Sequence, residues 1–121
     1  LYIQLIIMIL AVDFDGTIVE HAYPEIGKEI KGAFECLLNL KERGHKIVLW
    51  TCRSGETLNE AVEFCRMKGL TFDAVNDNIP GLGFSPMPKI YADKYIDDRN
   101  VFTNIDYDFW VALFWELKDK V

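Results

Sequence analysis

The sequence predicts one α/β domain built on a mainly parallel sheet, and three observations carry that prediction. Short uninterrupted apolar runs, Ile9-Leu10-Ala11-Val12 and Ile47-Val48-Leu49-Trp50, read as strands buried on both faces. The segments between and after them place apolar residues at helical spacing, and glycines close them. Each apolar run also stops abruptly in polar residues, which marks the carboxyl edge of an open parallel sheet, where connections splay apart and ligands bind. With 121 residues, half of them apolar, the chain has enough material for one core and too little for two. Residues 1–121 are therefore read as a single domain.

The first strand is the stretch Ile9 to Val12, and it runs into Asp13-Phe14-Asp15-Gly16-Thr17. A D-x-D-G-T string arises by chance on the order of once in a thousand chains of this length. Before it lies Leu1-Tyr2-Ile3-Gln4-Leu5-Ile6-Ile7-Met8, apolar but too short with the strand to span a bilayer and without a basic leader. Neither a signal peptide nor a membrane anchor is expected. Met8 directly precedes the strand, so residues 1–7 are read as an upstream extension or a non-native addition.

After Thr17, residues 18–27 carry Pro24 and Gly27 with no sustained period and read as a structured loop beside the carboxylates. Its His21 is a candidate substrate contact or base, although a lone loop histidine more often has no such role. From Lys28 to Arg43 the residues Ile30, Phe34, Leu37, Leu38 and Leu40 recur at helical spacing, and Gly44 is the expected stop. The second strand, Lys46 to Trp50, ends in Thr51-Cys52-Arg53-Ser54. Ser54 is a candidate N-cap for a helix from Gly55 to Lys68, whose free amides beside Thr51 suit an anion. A short third strand, Thr71 to Val75, leads into the proline- and glycine-bearing loop 76–88. The fourth strand, Lys94-Tyr95-Ile96, ends in a second acidic pair, Asp97-Asp98. Asp106 is the candidate N-cap of a last helix with a broad apolar face, wide enough to suggest self-association of the chain through it.

Carboxylates gathered at one edge are costly unless a cation offsets them, and an oxygen-rich ligand set favours magnesium over zinc. The net charge of −6 disfavours nucleic acid as a partner, though a cation in the acidic cluster offsets part of that charge. Three cysteines without C-x-x-C spacing indicate neither a disulfide framework nor a zinc site and fit a reducing, cytoplasmic setting. Cys52 gains no thiolate character beside carboxylates and is read as inert.

In chain order the chemical residues are Asp13, Asp15, Thr51, Lys89, Asp97 and Asp98. That order resembles the haloacid dehalogenase-like superfamily of phosphotransferases, with its Asp-x-Asp on the first strand, Thr or Ser after the second, later Lys, and acidic pair after the fourth. The resemblance implies a three-layer α/β/α Rossmann-like domain without a cap, because neither interval that would hold one is long enough. It implies a magnesium-dependent phosphatase acting on a phosphorylated substrate. Asp13 would be the nucleophile that forms an aspartyl-phosphate. Asp15 would be the acid and base. Thr51 and Lys89 would bind the phosphoryl group. Magnesium would be held by Asp13, Asp97 and the Asp15 backbone carbonyl, with Asp98 in support. Lys94 competes with Lys89 for the lysine role, but it lies inside the strand rather than before it. The Thr51-x-Arg53 and Asp97-Asp98-Arg99 pattern also resembles the phosphatase half of polynucleotide kinase-phosphatases, which would make Arg53 a second phosphate ligand on nucleic-acid ends.

Two readings from other classes compete. A response-regulator receiver domain shares length, magnesium, Asp, Thr and Lys, but it carries its acidic pair on the first strand and its phospho-acceptor after the third. Here the third strand ends Ala74-Val75-Asn76 and the tight pair comes last. A non-catalytic phospho-acceptor or binding domain on the same fold has no need to keep every motif residue.

Overall fold

The computed structural model describes residues 6–83 and 88–118, so most of the expected upstream extension, residues 84–87 of the long loop and the chain's last three residues lie outside it. Its elements are β1 (Ile9–Val12), α1 (Ala33–Glu42), β2 (Lys46–Leu49), α2 (Gly55–Met67), β3 (Ala74–Val75), β4 (Lys94–Ile96) and α3 (Tyr107–Leu117). The four strands form one sheet in the order β3-β2-β1-β4, and every pairing is parallel. The expected α/β class with a parallel, Rossmann-like sheet is present. Among the described residues no helix is long and apolar enough to cross a membrane.

Both helical crossovers, β1 to β2 and β2 to β3, step in the same direction across the sheet. Right-handed connections then put α1 and α2 on one face. Their buried residues, Phe34, Leu37 and Leu40 from α1 and Ala61 and Cys65 from α2, share a core with Leu10, Val12, Ile47, Leu49 and Ile96. Trp110 and Leu117 of α3 join the same core. Residues that alternate with these along the strands, Ala11 and Val48, face the other way and pack against Ile90 and Ala92. Described residues of the crossover between β3 and β4 cover that second face, and no helix forms among them. The expected three layers are therefore two of sheet and helix, with a third side covered by non-helical chain among the described residues. The physical reason is that a Pro- and Gly-bearing segment whose described residues bring Ile90 and Ala92, with Ile79 partly buried, onto the sheet offers no helical stripe there.

The first helix begins five residues later than its apolar spacing predicts. Residues 18–20 and 28–30 instead pair antiparallel, with Glu20 N donating to Lys28 O at 2.7 Å and Ile30 N to Ile18 O at 2.8 Å. Gly32, at φ 92°, then turns the chain into α1, and a Cβ there would lie 2.9 Å from the Tyr107 ring. The helix stops where predicted, at Arg43-Gly44. Ser54 stands at the N-cap of α2 but its side chain makes no capping bond; Thr57 Oγ1 donates to the Ser54 carbonyl instead. Asp106 caps α3 as expected, accepting from Phe109 N at 2.9 Å. On the outer side of α3, Trp115 stays 62% exposed.

Candidate active site

Register places the chemistry. Asp13 N donates to Ile96 O and Trp50 N to Val12 O, both at 2.9 Å, so the residues that follow β1, β2 and β4 emerge side by side at the carboxyl edge. There Asp13, Asp15, Thr51, Arg53 and Asp97 line a cleft of about 420 Å³ together with His21, Tyr23, Cys52 and Arg99. Oxygens of Asp13, Asp97 and Asp98 all lie within 4.8 Å of one another.

Three carboxylates this close repel, and the electrostatics record it. Burial, then the charges of Asp97 and Asp98, push the Asp13 carboxyl from its ordinary 3.8 up to about 7. Burial works on Asp98 in the same direction, but hydrogen bonds from His21 and Asp13 outweigh it and hold Asp98 below the usual carboxylate range. An all-oxygen set in which one member is driven toward neutrality by burial and by its neighbours' charge fits a hard divalent cation, as the sequence predicts for magnesium.

The loop after β1 is folded tightly onto this cluster. Thr17 is fully buried, its hydroxyl 3.3 Å from Asp13 Oδ2 and 3.4 Å from Asp98 Oδ1, and it accepts from Asp98 N at 3.1 Å. Its single proton can serve only one of the two carboxylates at a time. The buried indole of Trp110 donates to the Thr17 carbonyl at 3.2 Å and so ties α3 to the loop. Gly16 leaves the room for His21, whose Nε2 sits 2.8 Å from Asp98 Oδ2; a Cβ on Gly16 would lie 2.2 Å from that nitrogen.

Thr51 lines the cleft at the end of β2. Its amide donates to Asn76 Oδ1 at 2.8 Å, and its hydroxyl accepts from Arg53 N at 3.1 Å. Asn76, at φ 50°, receives no functional role from the sequence, yet it locks the turn after β2 to the end of β3. Its position after a strand and before a loop is the one signal that pointed toward it.

Two expectations change. Lys89 is not among the residues lining the cleft; its Nζ lies over the Tyr95 ring, 4.9 Å from the centroid. Lys94 opens β4 opposite Leu10, at the amino end of the sheet and away from the carboxylates. The crossover 76–93 has to return the chain to that amino end, which draws Lys89 along the back of the sheet. Arg53, expected as a phosphate ligand, is buried to 1% side-chain exposure against Asp15. Its Nε and Nη2 both donate to the Asp15 carboxylate at 2.8 Å, and these hydrogen bonds, with the Asp15 charge, outweigh burial and push the guanidinium pKa up.

No protein-family model matches the chain, and no curated protein matches it. A solved structure described as that of the conserved protein coded by locus from Bacteroides thetaiotaomicron superposes with a TM-score of 0.83 at 48% identity, covering 95% of this chain and 93% of that one. At that identity over nearly the full length of both chains, the protein belongs to the same family as this conserved Bacteroides protein.

Proposed function

We propose that the chain is a magnesium-dependent phosphohydrolase of the haloacid dehalogenase-like kind, working through an aspartyl-phosphate on Asp13. The observation that carries this reading is the convergence of Asp13, Asp97 and Asp98 within 4.8 Å at the carboxyl edge of a parallel sheet. A divalent cation held by these carboxylates, with the Asp15 carbonyl as the resemblance implies, would offset the repulsion between a phosphate dianion and an attacking carboxylate.

The chain's own residues supply the rest. An Asp13 oxygen attacks phosphorus, and the bond from phosphorus to the ester oxygen breaks. Asp15 delivers a proton to the departing oxygen, then takes one from the water that cleaves the aspartyl-phosphate, returning Asp13 and releasing phosphate. Thr51 offers its hydroxyl to a phosphoryl oxygen, and Arg99 is the exposed cation on the cleft wall. Thr17 and His21 hold Asp98 in place. Action on nucleic-acid ends loses support, because the Arg53 fork assigned to a second phosphate contact is engaged with Asp15.

The test is phosphate release from an aryl phosphate with and without magnesium, in the parent and in Asp13→Asn. Magnesium-dependent turnover that the substitution abolishes supports the reading. A parent that binds magnesium but releases no phosphate from aryl, sugar, nucleotide or oligonucleotide phosphates sinks it in favour of a phospho-acceptor or binding role.

A further inference from the structure

Arg53 has no hydrogen-bonding capacity left for a substrate. A guanidinium carries five N–H donors. Nε and Nη2 donate to Asp15 Oδ2 and Oδ1 at 2.8 Å, Nη2 also to the Glu25 carbonyl at 2.8 Å, and Nη1 to the carbonyls of Pro24 and Thr57 at 3.2 Å. All five are engaged within the chain. The guanidinium carbon also lies 5.1 Å from the ring centroids of both Phe14 and Tyr23. One side chain thus joins the loop after β1, the segment 20–28 that walls the cleft, and the first turn of α2.

We infer that Arg53 is a positioning residue: it holds the Asp15 carboxyl and the cleft wall 20–28 as one rigid unit and takes no part in binding the substrate's phosphate. This deepens the phosphohydrolase reading and rests on it. An acid on a loop is effective only if its oxygen is held within a few tenths of an ångström of the leaving group. The Arg53 fork sets the plane of the Asp15 carboxyl, and each Asp15 oxygen has a second lone-pair site for a proton. With the side chain of Asp15 16% exposed, the carboxyl still reaches the cleft. A lysine at position 53 keeps the charge but loses the fork and the carbonyl contacts.

The experiment compares parent, Arg53→Lys, Asp15→Asn and the double variant on two substrates that differ in leaving group. An alkyl phosphate needs a proton on its departing oxygen, whereas p-nitrophenyl phosphate does not. Reading kcat/KM confines the comparison to formation of the aspartyl-phosphate. Arg53→Lys is expected to lower kcat/KM on the alkyl phosphate about 10- to 100-fold, within the range that a positioned acid contributes. On p-nitrophenyl phosphate the expected loss is about threefold or less, inhibition by inorganic phosphate changes by less than about twofold, and the lysine adds no further loss once Asp15 is Asn. Equal losses on both substrates, with inorganic phosphate inhibiting ten times less well, overturn the inference and make Arg53 a phosphate ligand. Thermal melts establish that the variants fold; should Arg53→Lys not fold, Arg53→Gln serves in the same comparison. A parent without magnesium-dependent turnover overturns the phosphohydrolase reading itself, whereas an active parent with uniform Arg53→Lys losses overturns only the role given to Arg53.

Discussion

Asp13→Asn should make the metal-free protein more stable at neutral pH, although it removes the proposed nucleophile. A carboxyl whose folded-state pKa is raised contributes its full stability below the unfolded value and loses it as pH rises through the folded one. For Asp13 that window runs from 3.8 to about 7. At about 1.4 kcal/mol per pKa unit the whole interval is worth about 4 kcal/mol, and the access of water to a half-buried carboxyl discounts this to about 2 kcal/mol. For a domain of this size that is roughly 8 °C in melting temperature. The assay is urea or thermal unfolding of parent and variant between pH 5 and 8.5 in a chelator, with the difference between the two curves as the readout. Titrations at other residues common to both proteins cancel in that difference. The variant should exceed the parent by a little under about 1 kcal/mol at pH 5, where part of the window is already crossed, and by about 2 kcal/mol at pH 8. Millimolar magnesium should reverse the order, because only the parent has the third carboxylate to give the ion. Parallel curves across the whole range, or a variant less stable than the parent at pH 8 in chelator, would refute the claim that the carboxylates repel.

Other consequences can be checked with the same equipment. Gly16→Ala forces a side chain onto a backbone at φ 81° and into His21 and Asp98; about 1–3 kcal/mol of stability should go, and the magnesium-induced rise in melting temperature should shrink. Trp110→Phe leaves the buried Thr17 carbonyl without its donor and should destabilise by about 1–3 kcal/mol in urea unfolding, with turnover falling as the loop loosens. Burial lowers the pKa of His45, whose Nδ1 accepts from Met8 N. The fold therefore keeps this residue neutral and loses stability as pH falls below 6.5, a decline that His45→Gln should flatten. Lys89→Ala, which removes a cation resting on Tyr95 outside the cleft, should change kcat/KM by less than about tenfold; a loss of several hundredfold would place Lys89 in the site.

What could be read from the sequence is what local physics decides. The apolar runs before Asp13, Thr51 and Asp97 had to be strands, and their polar ends had to share an edge once the sheet was parallel. Gly44, at φ 100°, ended its helix as predicted because left-handed backbone is a property of the residue itself. The start of α1 escaped prediction because Lys28 and Ile30 pair with Glu20 and Ile18. That choice depends on where the loop after β1 folds, which periodicity does not encode. Arg53 escaped for a related reason. Its spacing from Thr51 suggests a ligand, but its five partners include the carbonyls of Pro24, Glu25 and Thr57, and backbone carbonyls leave no mark in a sequence. The layering depended on a connection whose composition could equally well have wandered over the surface.

The sheet is insulated unequally, and this bears on how the protein can change. Toward the helices it faces large side chains, Phe34, Leu37 and Leu40 of α1 and Trp110 and Leu117 of α3, which can exchange volume among themselves by repacking. On its other side the described residues of the crossover, Ile79, Ile90 and Ala92 among them, lie directly over Ala11 and Val48. Small residues there let backbone come close, and among the described residues no helix packs beyond that chain to absorb added volume. Enlarging Ala11 to leucine therefore lifts the crossover off the sheet. Because the crossover begins at Asn76, whose side chain holds the Thr51 amide, the displacement arrives at the cleft: an alanine buried behind the sheet helps to set the shape of the mouth in front of it.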